Sequence, residues 1–170
     1  MEFLELAKER YSCRSFTEQP VEDEKLEKIL EAGRVAPTAK NYQPGKVYVL
    51  KSEEALAKIR AITPATFNAP VVLLSCADEG SAWVNPFDDF NSAVMDISIV
   101  QTHMMLEAQA LGLGATWVCW FDTAKVKEAF DLTDCLQPRA LLPIGYPGEK
   151  GVPGPMHAVR KEKAEMFVEL

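Results

Sequence analysis

Arg10-Tyr11-Ser12-Cys13-Arg14-Ser15-Phe16 brings guanidinium and hydroxyl groups together in one short stretch. Arginine offers a rigid fork of donors suited to phosphate, and serine hydroxyls add further donors. In a chain of formal net charge −7 this local basic cluster is a candidate anion site. The other reading open to it is a solvated loop whose arginines pair with neighbouring glutamates. A second stretch, Ala36-Pro37-Thr38-Ala39-Lys40-Asn41-Tyr42-Gln43-Pro44, sets two amides among prolines. Asn41 and Gln43 could read the edge of a heterocycle, or bond to the backbone of a helix-to-strand turn. A third signal is Gly112-Leu113-Gly114 ahead of Trp117, with Gly145-Tyr146-Pro147 later. Common catalytic templates are missing: no G-x-G-x-x-G after a strand, no G-x-x-x-x-G-K-[ST], and no G-x-S-x-G.

The elements that must carry these residues are of mixed type. Phe3, Leu4 and Ala7 fit a short helix ending near Glu9. Glu22, Asp23 and Glu24 place acid where a helix dipole favours it, and Leu26, Ile29, Leu30 and Gly33 give that helix one apolar face. Pro37 stops it. Val47–Leu50 reads as a strand, and Ser52 caps a helix through Ile59. Pro70–Cys76 is a nearly continuous apolar run, suited to a central strand buried on both faces. Gly80–Asp89 is a loop in which Trp83 and Phe87 either line a substrate wall or plug the core. Apolar and small residues at helical spacing run from about Asn91 to Leu111 and end at Gly112 and Gly114. Ala115–Phe121 is expected to be another buried strand, Asp122 or Thr123 to cap a helix to about Phe130, and Arg139–Tyr146 to be the last strand. The fold class is α+β, in a single domain over residues 1–170.

Composition narrows the function. With acid in excess (25 Asp and Glu against 18 Lys and Arg), no nucleic-acid partner is expected. No apolar run long enough to cross a membrane appears, and the N-terminus lacks a signal-peptide layout, so the expected localisation is cytoplasmic. Cys13, Cys76, Cys119 and Cys135 form no C-x-x-C pair or zinc spacing, and read as free thiols. Cys13, among arginines, is expected to have a lowered pKa. His103 reads as a satisfied core or interface histidine, and Asp96 as interface or cap-like pairing.

In order, R-x-S-x-R-x-F, A-P-T-x-x-N-x-Q-P, A-x-x-L-G-L-G-x-x-W, G-Y-P and the late pair Arg160-Lys161 resemble the nitroreductase family of FMN-dependent oxidoreductases, from Glu9 to about Lys161. The resemblance implies a central, mostly antiparallel sheet of about four to five strands flanked by helices, in an intertwined homodimer with FMN at the subunit interface. It implies that Arg10 and Ser12 meet the phosphate, that Tyr11 belongs to the cofactor-binding set, that Arg14 reaches the ribityl chain or the O2 side of the ring, and that Arg160 and Lys161 also serve the phosphate. Pro37, Thr38, Asn41 and Gln43 would approach the flavin from the partner subunit. Backbone amides near Val118, Cys119 and Trp120 would face the ring, where the family often has two glycines in place of Cys119 and Trp120. Arg14 and Lys46 are candidates to stabilise negative charge at the ring. No side chain is expected to act as a general acid. The implied activity is ping-pong transfer from NAD(P)H through flavin N5 to an acceptor such as a nitroaromatic, a quinone or a free flavin. The alternative is a non-catalytic flavin-binding or redox-sensing dimer.

Overall fold

The computed structural model describes residues 2–170. A four-stranded antiparallel sheet has the order β1-β2-β4-β3, formed by β1 (Lys46–Leu50), β2 (Val71–Asp78), β4 (Leu136–Gly145) and the two-residue β3 (Gly114–Ala115). The register pairs Leu50 with Val72, Val71 with Ile144 and Gly114 with Gly145, with an irregularity at Ser75/Cys76. As its apolar run implied, β2 is central and buried on both faces.

Side chains alternate across a strand, so β2 feeds two cores. Val72, Leu74 and Cys76 face Leu56 and Ile59 of α3 (Glu53–Ile62) and Val126 of α5 (Thr123–Ala129). Val71 and Leu73 face Leu26 and Ile29 of α2 (Asp23–Arg34) and Met104 and Ala108 of α4 (Ala93–Ala110). A sheet with helices on both faces buries the apolar surface of each element. Two short helices, α1 (Phe3–Glu9) and α6 (Lys163–Met166), lie near the ends of the chain.

The predicted caps form. Ser52 Oγ accepts from the Ala55 amide at 3.2 Å, and the helix it starts runs to Ile62, beyond the expected Ile59. Of the two candidates for α5, Asp122 is the cap and accepts from the Lys125 amide at 3.1 Å. Gly112, with φ of 78°, closes α4 in a conformation that favours glycine.

The expected strand over Ala115–Phe121 needs correction. Only Gly114–Ala115 pairs as a strand, followed by a single bridge from Val118 to Leu141. The chain then leaves the sheet edge to reach the Asp122 cap, and a Phe121 amide to Cys119 carbonyl bond of 3.2 Å tightens the turn. Cys119 and Trp120 are therefore exposed. Phe87, 95% exposed, does not plug the core either. Among the described residues no helix is long and apolar enough to cross a membrane.

Gln101 on α4 is fully buried, and neither its side-chain nitrogen nor its oxygen has a partner. Leaving buried polar groups unmatched costs about 1–3 kcal/mol. Gln101→Met keeps the length and removes the unmatched atoms. It is expected to raise stability by about 1–3 kcal/mol, seen as a higher urea midpoint; a lower midpoint would count against this reading.

Candidate functional site

The segment after α1 lies along β3. Ser12 bridges to Ala115 in parallel, and the Cys13 amide donates to the Ala115 carbonyl at 3.0 Å. This approach requires glycine at 114, because a Cβ there would stand 2.7 Å from both Cβ and Sγ of Cys13. The loop after β4 is pinned over the same segment. Tyr11 Oη donates to the Gly151 carbonyl at 2.6 Å, the Gly148 amide donates to the Ser15 carbonyl at 2.9 Å, and Tyr11 meets the His157 ring edge-on at 6.3 Å.

Between them is an open cavity of about 300 Å³ lined by Arg10, Tyr11, Ser12, Arg14, His157 and Arg160, and by no carboxylate. Burial, and then the positive charge of Arg160, push the Arg10 guanidinium pKa down. Arg160 is held by donating to the carbonyls of His157 (2.6 Å) and Val159 (2.7 Å), and Arg14 makes only a long 3.4 Å bond to the Ser12 carbonyl. Elsewhere arginines do find carboxylates: Arg34 pairs with Glu31 and Arg139 with Glu79. Among the described residues, the cavity arginines have no such partner, so the solvated, glutamate-paired reading of the cluster is not what the structure shows. Cations brought together without a counter-charge favour an anionic ligand.

Three sequence readings change here. Tyr11 has its hydroxyl committed to Gly151, so it acts as a pin as well as a lining residue. Lys161 is exposed and does not line the cavity, whereas Arg160 does. Cys13 is fully buried, and that burial raises its thiol pKa despite the opposing effect of Arg14. The expected low-pKa thiol is overturned because desolvation outweighs the nearby charge.

The second segment is strained. Lys40, Asn41 and Gln43 all have φ between 51° and 57°, a left-handed conformation that non-glycine residues seldom hold unless their surroundings impose it. Buried Asp96 supplies that restraint: its Oδ1 accepts from the Ala39 amide at 2.8 Å and its Oδ2 from Ser92 Oγ at 2.7 Å. Asp96 thus ties Ser92, at the start of α4, to this loop without capping an amide of its own helix. Thr38 Oγ1 accepts from the Gln43 amide at 3.0 Å, and Gln43 Nε2 donates to the Asn41 carbonyl at 3.2 Å. Pro37, Asn41 and Gln43 are exposed. Thr38 and Gln43 line a separate apolar cavity with Leu30, Ile97, Val100 and Met104. Within one chain, then, this segment and the basic cavity are not brought together.

The third segment follows β3. Val118 is buried, and its amide donates to the Leu141 carbonyl at 3.0 Å, so it is not free for a ligand as the sequence had suggested. The Cys119 and Trp120 amides have no partner among the described residues. Trp117 Nε1 donates to Cys119 Sγ at 3.2 Å. Thr63, which drew no attention in the sequence, donates its buried hydroxyl to the Trp120 carbonyl at 2.7 Å. An isolated threonine before Pro64 carries no pattern that would mark such a long-range tie. Lys46 is exposed at the start of β1, and His103 is partly buried with Nδ1 2.9 Å from the Ile99 carbonyl.

Known proteins resemble this chain in sequence and fold. The nitroreductase family model matches residues 7–64 and 61–146. A protein of Methanothermobacter thermautotrophicus, whose name pairs NADH dehydrogenase with NAD(P)H nitroreductase, is 30% identical over 88% of this chain and 79% of its own length. An FMN reductase [NAD(P)H] of Bacillus subtilis is 29% identical over 85% of this chain and 65% of its own. The crystal structure of a nitroreductase family protein from Clostridium difficile 630 superposes with a TM-score of 0.92 at 39% identity, covering 99% of this chain and 98% of the other. With the family model matched from residue 7 to residue 146 and the same fold over nearly the full length, this chain belongs to the nitroreductase family.

Proposed function

We propose that the protein is an FMN-dependent oxidoreductase that oxidises NAD(P)H and reduces a small acceptor of the nitroaromatic or quinone type. The observation that carries this reading is the carboxylate-free cavity in which Arg10 and Arg160 approach each other unpaired. Two features fit FMN. The arginines and Ser12 suit a phosphate, and the unpartnered Cys119 and Trp120 amides suit the acceptor atoms at a flavin ring edge. The name of the Bacillus subtilis relative points the same way.

The chain's own residues bind and orient. Arg10, Ser12 and Arg160 hold the phosphate end, and Arg14 extends along the ribityl side. The amides of Cys119 and Trp120 would donate to the acceptor atoms at the ring edge and hold the ring in place. The strained loop at Pro37, Thr38, Asn41 and Gln43 completes the site from a second copy of the chain, because within one copy it lines a different cavity. The chemistry that FMN supplies when bound is two-electron relay, from a hydride of NAD(P)H to the acceptor. The overall change balances as NAD(P)H, a proton and a quinone giving NAD(P)⁺ and a hydroquinone.

The test is anaerobic addition of NADH or NADPH to the flavin-loaded protein. Rapid bleaching of the visible flavin band is expected. An unchanged spectrum with both donors would sink the reductase reading and leave only a flavin-binding protein.

A further inference from the structure

From Val152 to Leu170 every residue is exposed except His157, which is half-buried. It lines the basic cavity, and its ring meets that of Tyr11 at 6.3 Å and an interplanar angle of 81°. Tyr11 is itself fixed by its 2.6 Å bond to the Gly151 carbonyl. The turn that carries His157 is ordered by its own backbone. The His157 amide donates to the Gly154 carbonyl at 2.9 Å, and the Val159 amide to the Met156 carbonyl at 3.2 Å. Arg160 Nη1 closes back onto the carbonyls of His157 and Val159. The imidazole and the Arg160 guanidinium are therefore presented to the cavity by one turn, and the Tyr11 ring is what that turn leans on.

Half-buried polar groups are normally matched. His103 follows this rule, with Nδ1 2.9 Å from the Ile99 carbonyl. Among the described residues, neither ring nitrogen of His157 has a protein partner, and no carboxylate lines the cavity to supply one. The charged and titratable groups that face the ring are Arg10, Tyr11 and Arg14 from the segment after α1, and Arg160 from its own turn. Arginine keeps its charge at every relevant pH, and burial pushes the Tyr11 phenol up, away from neutrality. Of the side chains lining the cavity, only the imidazole is of a type that changes charge between about pH 5 and pH 8. A further cation among arginines is unfavourable by itself and favourable beside an anion.

We propose that His157 is a further phosphate ligand of the flavin site, and that it makes the hold on FMN depend on pH. This rests on the FMN reading above. The neutral ring offers the phosphate one N–H donor. The protonated ring offers a charge-assisted bond, roughly twice as strong. The added hold is therefore present at low pH and is lost as pH rises through the histidine range. A phosphate monoester titrates too, near about pH 6, and its dianion is the better ligand for cations. That effect runs in the opposite direction and is common to all variants of the chain. The contribution of His157 is what remains when variants are compared at one pH.

The experiment titrates flavin-free protein with FMN and with riboflavin at about pH 5.5 and about pH 8.5, below and above the ordinary histidine value. It compares the unmutated chain with His157→Phe, which keeps a ring against Tyr11 but has no donor, and with His157→Gln, which keeps a neutral donor. His157→Phe is expected to weaken FMN binding about 10- to 100-fold at the lower pH and only about two- to tenfold at the higher. His157→Gln should recover most of the loss at the higher pH and little of it at the lower. Riboflavin, which lacks the phosphate, should bind all three proteins alike at either pH. No loss of FMN affinity in His157→Phe, a loss of equal size at both pH values, or a loss shared by riboflavin would each overturn the proposal; the last would leave His157 only a support for the turn. If the unmutated protein binds riboflavin as tightly as FMN, the phosphate reading fails and this inference with it. If FMN binds with the expected pattern but is not bleached by NADH or NADPH, the reductase reading fails and this inference stands.

Discussion

Arg10→Ala combined with Arg14→Ala is expected to give a colourless protein that still folds. Charge-assisted hydrogen bonds contribute about 1.5–3 kcal/mol each. Removing two therefore weakens FMN binding by about 3–6 kcal/mol, or roughly 10²- to 10⁴-fold. The fold should survive because neither guanidinium supports it. Among the described residues, Arg10 makes no side-chain bond and Arg14 makes one long bond within its own loop. The contacts that hold this segment to β3 and to the late loop run through the Cys13 and Gly148 amides and the Tyr11 hydroxyl. Flavin content by absorbance after purification, with circular dichroism as the check on folding, gives the answer. Full flavin retention would refute the phosphate assignment.

Mixed dimers give the second large effect. If the loop at Pro37–Gln43 serves the partner's flavin, a dimer of one Arg10→Ala/Arg14→Ala subunit and one Asn41→Ala subunit has both lesions in one site and none in the other. Asn41→Ala acts twice, deleting the exposed amide and placing alanine at a φ of 57°, where it is strained. Each parent dimer is expected to be depleted in FMN, and the separately tagged, co-purified mixed dimer to carry about one FMN per two subunits. A mixed dimer as empty as its parents would mean that each site is built within one chain.

The sequence made the framework of the fold readable and left the fine structure of the site hidden, for physical reasons. β2 was legible because seven apolar or small residues in a row cannot be satisfied on a sheet surface. The Ser52 cap and the end of α4 at Gly112 were legible because capping chemistry is local. The stretch after Ala115 was misread because its apolar composition is that of a strand, and only the sheet edge and the Asp122 cap decide where the chain departs. The basic cluster was visible from residue types, but whether its arginines were paired with glutamates depended on tertiary placement. Desolvation reversed the expectation for Cys13, and burial is a property of the folded chain. The Asp96 anchor and the Thr63 tie each join residues 57 positions apart, beyond the reach of any local pattern.

The central claim is that Arg10, Ser12 and Arg160 recognise the phosphate of FMN. Titrating flavin-free protein with FMN and with riboflavin, which lacks the phosphate, tests it most directly. FMN is expected to bind roughly 10²- to 10⁴-fold more tightly, with most of that preference lost in Arg10→Ala/Arg160→Ala. Riboflavin binding as tightly as FMN would contradict it.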